Sequence, residues 1–403
     1  MNILISAYSV NPYKGSEDSI GWNWVLQYEK NYKKGDRIIL LTKKFNEKDT
    51  RKGLKEFNIQ HVELVIVDVP NALNWFREKH SAFHHMYYIL WQHWAWLWVK
   101  HSGIHFDVIH HVTMNDYRIP SEMYKAKGAK VIWGPMGGAQ VTPKPLKVYE
   151  KNQLVANFRE FVNRSCSWNP LYKIALRSYY KIYCINNETQ KQISRIVGKD
   201  VPLMPELALR DEYKNLPIQK RKNDILKIVF VGRLIGKKGI AFLVDALSLM
   251  PTDMEWELLI FGDGDDRALI ERQIADSGIE ENIKLMGNRP LNQIAEAYQQ
   301  ADIFVLPSLR ETSGNVLLEA MAYAVPIVAF DTSFCRLLKK VDCGIFVNTE
   351  QALDNIKADY CKAIVTLEQD KKLAKQMGLN GYKYVNKYLT WEAKYEVLLK
   401  EFL

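Results

Sequence analysis

Two carboxylates, Glu311 and Glu319, bracket the small-residue turn Thr312-Ser313-Gly314-Asn315 and the apolar residues Val316, Leu317 and Leu318. The run Asp302 to Pro307 just before them is β-branched and aromatic, so the local order reads strand, turn, helix. A helix that opens in this turn leaves its first backbone N–H groups unpaired, and such a terminus favours an anion, above all a phosphate. At a rise of about 1.5 Å per residue, Glu319 falls more than a turn beyond that anion site. One carboxylate then stands at the mouth of a crevice and the other deeper in it. An isolated pair with this spacing also fits a capped surface helix with two solvated glutamates, so the chemical reading depends on what accompanies it.

The first companion is Gly232-Arg-Leu-Ile-Gly-Lys-Lys-Gly239, a glycine-bounded turn that carries Arg233 and Lys238 from a strand into a helix start. Two cations at the C-terminal edge of a sheet balance a diphosphate, although either also suits a solvated loop. Gly262-Asp-Gly264 and Met286-Gly-Asn-Arg289 end two further strand-like runs. In the first half, Gly15 and Ser16 bring bare backbone to a helix start, and His110 and His111 end the strand Phe106 to Val112. Alternation along a strand sends the two histidines to opposite sides, so at most one of them faces a cleft.

The elements that must position these residues are short apolar runs separated by helical stretches. Runs at Ile3–Tyr8, Arg37–Thr42, Val62–Val69, Phe106–Val112, Lys130–Gly138 and Lys181–Asn186 fill the first half. The alternation restarts at Leu226–Gly232 and continues through Trp256–Gly264, Asn282–Arg289, Asp302–Pro307, Val325–Asp331 and Cys343–Val347. That is the pattern of an α/β protein with doubly wound parallel sheets, and 403 residues suit two domains of about 200 residues. The polar stretch Arg210 to Asp224 reads as the linker. Between Asn74 and Val99 the chain is crowded with aromatic residues but broken by Arg77, Glu78, Lys79 and several histidines, which excludes a spanning helix of about 20 apolar residues. It is either a thick helix packed on the sheet or a segment at a membrane interface.

Charge is unevenly spread. Residues 1–200 hold 29 Lys and Arg against 17 Asp and Glu, a net of +12, whereas residues 201–403 hold 26 against 29, a net of −3. The basic half suits a nucleic acid, an anionic lipid or a polyanionic substrate, or needs no partner at all. Five cysteines without CxxC or Cys/His spacing suit a reducing cytoplasm and argue against a structural zinc, so no metal is expected. The run Met1 to Ser6 reads as a strand with no leader before it, and a secreted route is not expected.

In the second half, G-R-L-x-x-x-K-G at Gly232–Gly239, G-D-G at Gly262–Gly264, M-G-N-R at Met286–Arg289 and E-x-x-G-x-x-x-x-E at Glu311–Glu319 occur in that order, each at the end of a strand. So ordered, they resemble the retaining family 4 glycosyltransferases of the GT-B fold. Gly15-Ser-Glu17 and W-G-P-x-G-G at Trp133–Gly138 resemble features of bacterial members that build surface polysaccharides. The resemblance implies two Rossmann-like domains facing across a cleft: an acceptor domain over 1–205, a nucleotide-sugar domain over 206–385, and a terminal helix over 386–403 crossing back.

The same resemblance implies roles for residues of this chain. Arg233 and Lys238 would hold the donor diphosphate, with backbone from Ser313, Gly314, Asn315 and Val316 and the glycines Gly15, Gly232 and Gly264 nearby. Glu319 would bind the ribose, Glu311 would meet the transferred sugar, and Arg289 would line the base pocket. His111 would be the first-domain catalytic histidine. His110 is the alternative register, and alignment on the preceding Asp would instead put Val112 at the functional place. Thr312-Ser313-Gly314 stands where many relatives carry Gly-Phe-Gly, so donor-sugar contacts would differ. The implied function is transfer of a sugar from a nucleotide diphosphate to a hydroxyl acceptor, without cofactor or metal. The partners are a saccharide or lipid-linked acceptor and an anionic membrane surface at the inner face, with no nucleic acid. The competing readings are a nucleotide-sugar epimerase or hydrolase of the same fold, and a non-catalytic partner of a glycosyltransferase.

Overall fold

The computed structural model describes residues 1–15, 17–70, 84–150, 153–218, 224–312 and 314–402. The aromatic stretch up to residue 83, Ser16 and Ser313 therefore lie outside the described residues. The chain divides into two compact units. The first comprises Met1–Ala139, Asn163–Glu206 and Trp391–Leu403, and the second comprises Gln140–Val162 and Leu207–Thr390.

In the first unit, strands β1 (Asn2–Ser6), β2 (Arg37–Thr42), β3 (Val62–Ile66), β4 (Val108–His111), β5 (Lys130–Met136) and β6 (Lys181–Cys184) form one sheet, with order β3-β2-β1-β4-β5-β6 and every pairing parallel. Helices α1 (Glu17–Lys30), α2 (Glu47–Glu56), α3 (His84–His101), α4 (Gln153–Ser165), α5 (Pro170–Ser178) and α6 (Asn187–Val197) follow in chain order, with most of α4 belonging to the second unit. Parallel strands buried on both faces need unbroken apolar sequence. Ile38 to Leu41 meets that need, with all four residues buried.

The second unit repeats the plan. Strands β7 (Leu226–Val231), β8 (Trp256–Phe261), β9 (Ile283–Gly287), β10 (Ile303–Leu306), β11 (Ile327–Phe330) and β12 (Gly344–Val347) take the order β12-β11-β10-β7-β8-β9, again all parallel. Counted from its own first strand, this is the order of the first sheet. Helices α7 (Ile240–Leu247), α8 (Arg267–Ala275), α9 (Leu291–Gln300), α10 (Asn315–Ala322), α11 (Ser333–Leu338), α12 (Leu353–Gln369) and α13 (Lys371–Tyr388) complete it, and α14 (Trp391–Leu399) belongs to the first unit. Each sheet reverses its strand order once, between β1 and β4 and between β7 and β10. Loops diverge at such a point, and the crevice outside the carboxyl ends of the strands is where doubly wound sheets bind ligands.

Helix α3 shows where the second part of the aromatic stretch goes. Tyr87, Tyr88, Trp91, Ala95 and Val99 are buried, and the Trp91 indole donates to the Val67 carbonyl at 2.9 Å. From residue 84 onward the stretch is a helix packed on the first sheet. No helix among the described residues is long and apolar enough to cross a membrane.

Residues 140–162, expected in the first domain, sit instead in the second unit. Leu146 is fully buried in that unit's core. The Tyr149 ring meets Phe242 edge-on at 5.7 Å and its hydroxyl donates to Asp245 at 2.5 Å, while Glu150 pairs with Arg310 at 3.3 Å. These partners are about a hundred residues or more away in the chain, so local patterning does not reveal them. The polar stretch after Arg210 is likewise only partly a linker. Leu209 bridges to Thr390, and Tyr213 is buried.

Candidate active site

The order reversal of the second sheet gathers the charged residues. Strand β7 ends at Val231 and delivers Gly232, Arg233 and, through the short turn Gly236–Lys238, Lys238. Strand β10 ends at Leu306 and delivers Ser308 and Glu311. Lys238 Nζ lies 2.6 Å from Glu311 Oε2, and the Ser308 hydroxyl donates to the same oxygen at 3.0 Å. Glu311 is 8 % exposed, so its charge is held by two donors at the rim of the sheet. Burial together with Lys238 beside it lowers the pKa of Lys237.

Two glycines set this geometry. Gly239 has φ +72° and a Cβ there would lie 2.0 Å from the Pro307 carbonyl oxygen; Gly262 has φ +129° and would meet the Gly232 carbonyl at the same distance. Neither position admits a side chain, which lets the β7, β8 and β10 loops close on one another. Gly264, expected near the donor, also has a packing role: its Cβ would lie 2.4 Å from the Leu234 carbonyl oxygen.

Helix α10 opens beside this pair. Gly314, at φ +57°, precedes it in the left-handed region and supplies no side-chain cap. Asn315 is exposed and Val316 half-buried, and among the described residues their N–H groups are left for another acceptor, while the Leu317 N–H donates to the Gly314 carbonyl at 2.9 Å. Glu319 is buried, as are Leu317, Leu318, Ala320, Met321 and Ala322. Its carboxylate accepts from Arg210 at 3.0 Å and from the Tyr298 hydroxyl at 3.2 Å. Burial raises the Glu319 pKa, and Arg210 and Tyr298 oppose that shift. Arg210 in turn packs over Tyr213, 4.9 Å from the ring centroid, and pairs with Glu212 at 3.0 Å.

Arg233 and Arg289 are exposed and their side chains make no hydrogen bond or ion pair among the described residues. Arg233 follows β7, next to the pair. Arg289 follows the edge strand β9, two strands from β7, or about 10 Å at ordinary strand spacing. It is at the same edge of the sheet but not part of the cluster. Arg210, Ser308 and Tyr298 are members that sequence reasoning missed. Arg210 was hidden inside a charged stretch that reads as a linker, and nothing local marks it.

The first unit corrects the histidine assignment. His111, expected to be catalytic, is fully buried, and His110 is 1 % exposed. His111 Nδ1 lies 3.0 Å from the Ser6 hydroxyl and Nε2 lies 2.9 Å from the Tyr88 hydroxyl, so both ring nitrogens are already engaged. His110 is held by Tyr28 at 3.1 Å and the Gly134 carbonyl at 3.4 Å. Burial depresses both to about 3, leaving neutral imidazoles that tie β4 to its neighbours. Val112 is equally buried. A histidine at a strand end is exposed only if the loop beyond it turns away, which the pattern does not reveal.

Gly15 sits in an open loop, with nothing within 4 Å of where its Cβ would be. The helix it precedes carries Glu17 and Asp18 in its first turn. Glu17 reaches across the order reversal of the first sheet to accept from the Met114 N–H. Burial, with Glu206 nearby, raises Glu17 to about 7. The start of α1 therefore already holds its own carboxylates, a poor setting for a phosphate.

Two parallel six-stranded Rossmann-like sheets, with a cationic and carboxylate cluster at the reversal of the second, define an α/β protein of the GT-B glycosyltransferase fold. Residues 226–370, which lie within the second unit, match the family Glycosyl transferases group 1. The amylovoran biosynthesis glycosyltransferase AmsK of Erwinia amylovora is 33% identical over 134 residues, 32% of this chain and 33% of that protein. This chain thus matches about a third of that relative's length. The lipopolysaccharide outer core galactosyltransferase WaaB, without ligand, superposes with a TM-score of 0.63 over 100% of this chain and 99% of its own, at 17% identity. HepE of Anabaena in complex with UDP superposes with a TM-score of 0.61 over 99% of both chains, at 15% identity.

Proposed function

We propose that this protein is a retaining family 4 glycosyltransferase. It moves a hexose-type sugar from a nucleotide diphosphate to a hydroxyl acceptor in the synthesis of a cell-surface polysaccharide or glycolipid. The observation that carries the reading is the Lys238–Glu311 pair, 2.6 Å apart, at the strand-order reversal, with the exposed Arg233 on the same loop. A donor diphosphate entering there meets two cations and the open N–H groups of α10. UDP is the first nucleotide to test, because HepE holds it on the same fold.

In this reading the bond from the anomeric carbon to the diphosphate oxygen breaks, and Arg233 and Lys238 stabilise the charge that grows on the leaving group. The acceptor oxygen bonds to the same carbon on the same face, and its proton passes to the departing phosphate. Glu311 orients the sugar hydroxyls, and Glu319 binds the ribose once the donor displaces or joins Arg210. No metal or cofactor enters this scheme. The acceptor is a saccharide or a lipid-linked saccharide, met at an anionic surface on the cytoplasmic side of a membrane. Five free cysteines and the basic first half support that location.

The test is incubation with a panel of nucleotide sugars, with and without lipid-linked saccharide acceptors, and assignment of the product anomer by NMR. Transfer with retained configuration is expected. Epimerised or free sugar formed equally well without acceptor would establish the competing epimerase or hydrolase reading.

A further inference from the structure

Helix α4 leaves large apolar side chains exposed among its described residues. Leu154, Phe158 and Phe161 are 81%, 68% and 57% exposed, and their spacing of four and three residues stacks them on one face of the helix. Val148, in the short turn before the helix, is 63% exposed. A helix that only covered the second unit would turn these residues inward and its polar residues out. Single exposed apolar residues are ordinary, but several on one stripe mark a docking surface.

The charge around the stripe selects the partner. Between Lys144 and Arg164 the sequence carries Lys144, Lys147, Lys151, Arg159 and Arg164 against Glu150 and Glu160. Both carboxylates are engaged within the unit. Glu160 pairs with Lys147 at 2.8 Å, and Glu150 pairs with Arg310 at 3.3 Å and accepts from the Thr142 hydroxyl. Lys144 is exposed. An apolar stripe in a segment whose sequence carries a net charge of +3, with Lys144 exposed beside it, suits the boundary between anionic headgroups and acyl chains.

We propose that α4 is an interfacial helix that seats the second unit on an anionic lipid bilayer through Leu154, Phe158 and Phe161. The inference deepens the membrane-surface part of the proposed function, and it needs neither donor nor acceptor to be tested. In the full-length protein, flotation with vesicles of phosphatidylcholine containing phosphatidylglycerol should recover bound protein at low salt. Pure phosphatidylcholine should recover far less, since the attraction to anionic lipid is then absent. The double variant L154S/F158S alters only exposed positions and should lower the vesicle-bound fraction about tenfold, with an unchanged melting temperature. No flotation at low salt, equal flotation on both vesicle types, or undiminished flotation of the variant would each overturn the proposal. So would a concentration-dependent dimer in sedimentation velocity that the same variant abolishes, because the stripe would then belong to a second copy. Each of these results leaves the test of sugar transfer untouched.

Discussion

Lys238 and Glu311 are 73 residues apart in the chain and 2.6 Å apart in space. They come from β7 and β10, strands that are neighbours only because the sheet reverses its order between them. The pair places a cation and an anion where a diphosphate and its sugar would meet.

Replacing Lys238 by Ala should lower kcat by about 100-fold to 1,000-fold, the usual effect of removing one donor to a developing charge. A donor that matters more in the transition state than in the ground state affects turnover more than binding. Steady-state kinetics with the donor varied would show it. A change confined to the donor KM would refute the assigned role.

The two carboxylates should fail in different ways. Glu319→Gln should weaken donor binding by about 1.5–3 kcal/mol, the range for hydrogen bonds to charged groups, whereas Glu311→Gln should lower turnover with donor affinity kept. Arg210 adds a pH signature. Burial already raises the Glu319 pKa against the opposition of Arg210, so Arg210→Ala should raise it further. Donor affinity of that variant should then fall at a higher pH than in the parent as the carboxylate gains its proton. Calorimetric titrations between pH 8 and 5 read all three variants, and identical profiles for Glu311→Gln and Glu319→Gln would reject the division of roles.

Glycines that serve packing should separate from one that lines an open loop. Gly239→Ala and Gly262→Ala force a Cβ to within 2.0 Å of a carbonyl oxygen at positive φ. Each should destabilise by at least about 2 kcal/mol, from steric overlap and left-handed backbone strain together. Gly15→Ala meets nothing within 4 Å and should leave the urea midpoint in place. Equal losses in all three variants would show that the close approaches are not what the second sheet's loops require.

Acid should destabilise the fold in a stepwise manner. His110 and His111 hold pKa values of about 3, pushed down by burial from 6.5. Below pH 6.5 the unfolded chain takes up two protons that the folded chain refuses, and the stability they contribute is lost as pH falls toward 3. Glu17 acts in the opposite sense. Its folded value of about 7 against 4.5 makes the folded chain bind a proton more tightly, so its protonation adds stability between pH 7 and 4.5. Stability should therefore fall by at most about 1.4 kcal/mol per pH unit between 6.5 and 4.5, because Glu319, also raised by burial, adds to the offset, and the fall should steepen below 4.5. Lys394, lowered to about 7 by burial, contributes above that range, where stability should rise with pH toward 10.5. Urea unfolding from pH 4 to 9 checks the slopes. A midpoint that does not move between pH 6.5 and 4.5 would contradict them.

Sequence alone determined the strands and the chemistry of the second unit's loops. A strand buried on both faces must be a continuous apolar run, and a loop that meets phosphate must offer glycine, a cation or a bare helix start, so Leu226–Val231, Gly232–Gly239 and Glu311–Glu319 announce themselves locally. Tertiary structure alone decided what those residues touch. Strand order is a long-range choice, and it brings Lys238 to Glu311. Arg210 reaches Glu319 across 109 residues from a stretch whose polarity resembles any linker. His111 looks like a catalytic strand-end histidine until Ser6 and Tyr88 close on both of its nitrogens. Residues 140–162 join the second unit through partners about a hundred residues or more away. Periodicity and propensity act over a few residues, whereas pairing of charges, burial of a ring and membership of a unit depend on which distant segments the core brings together.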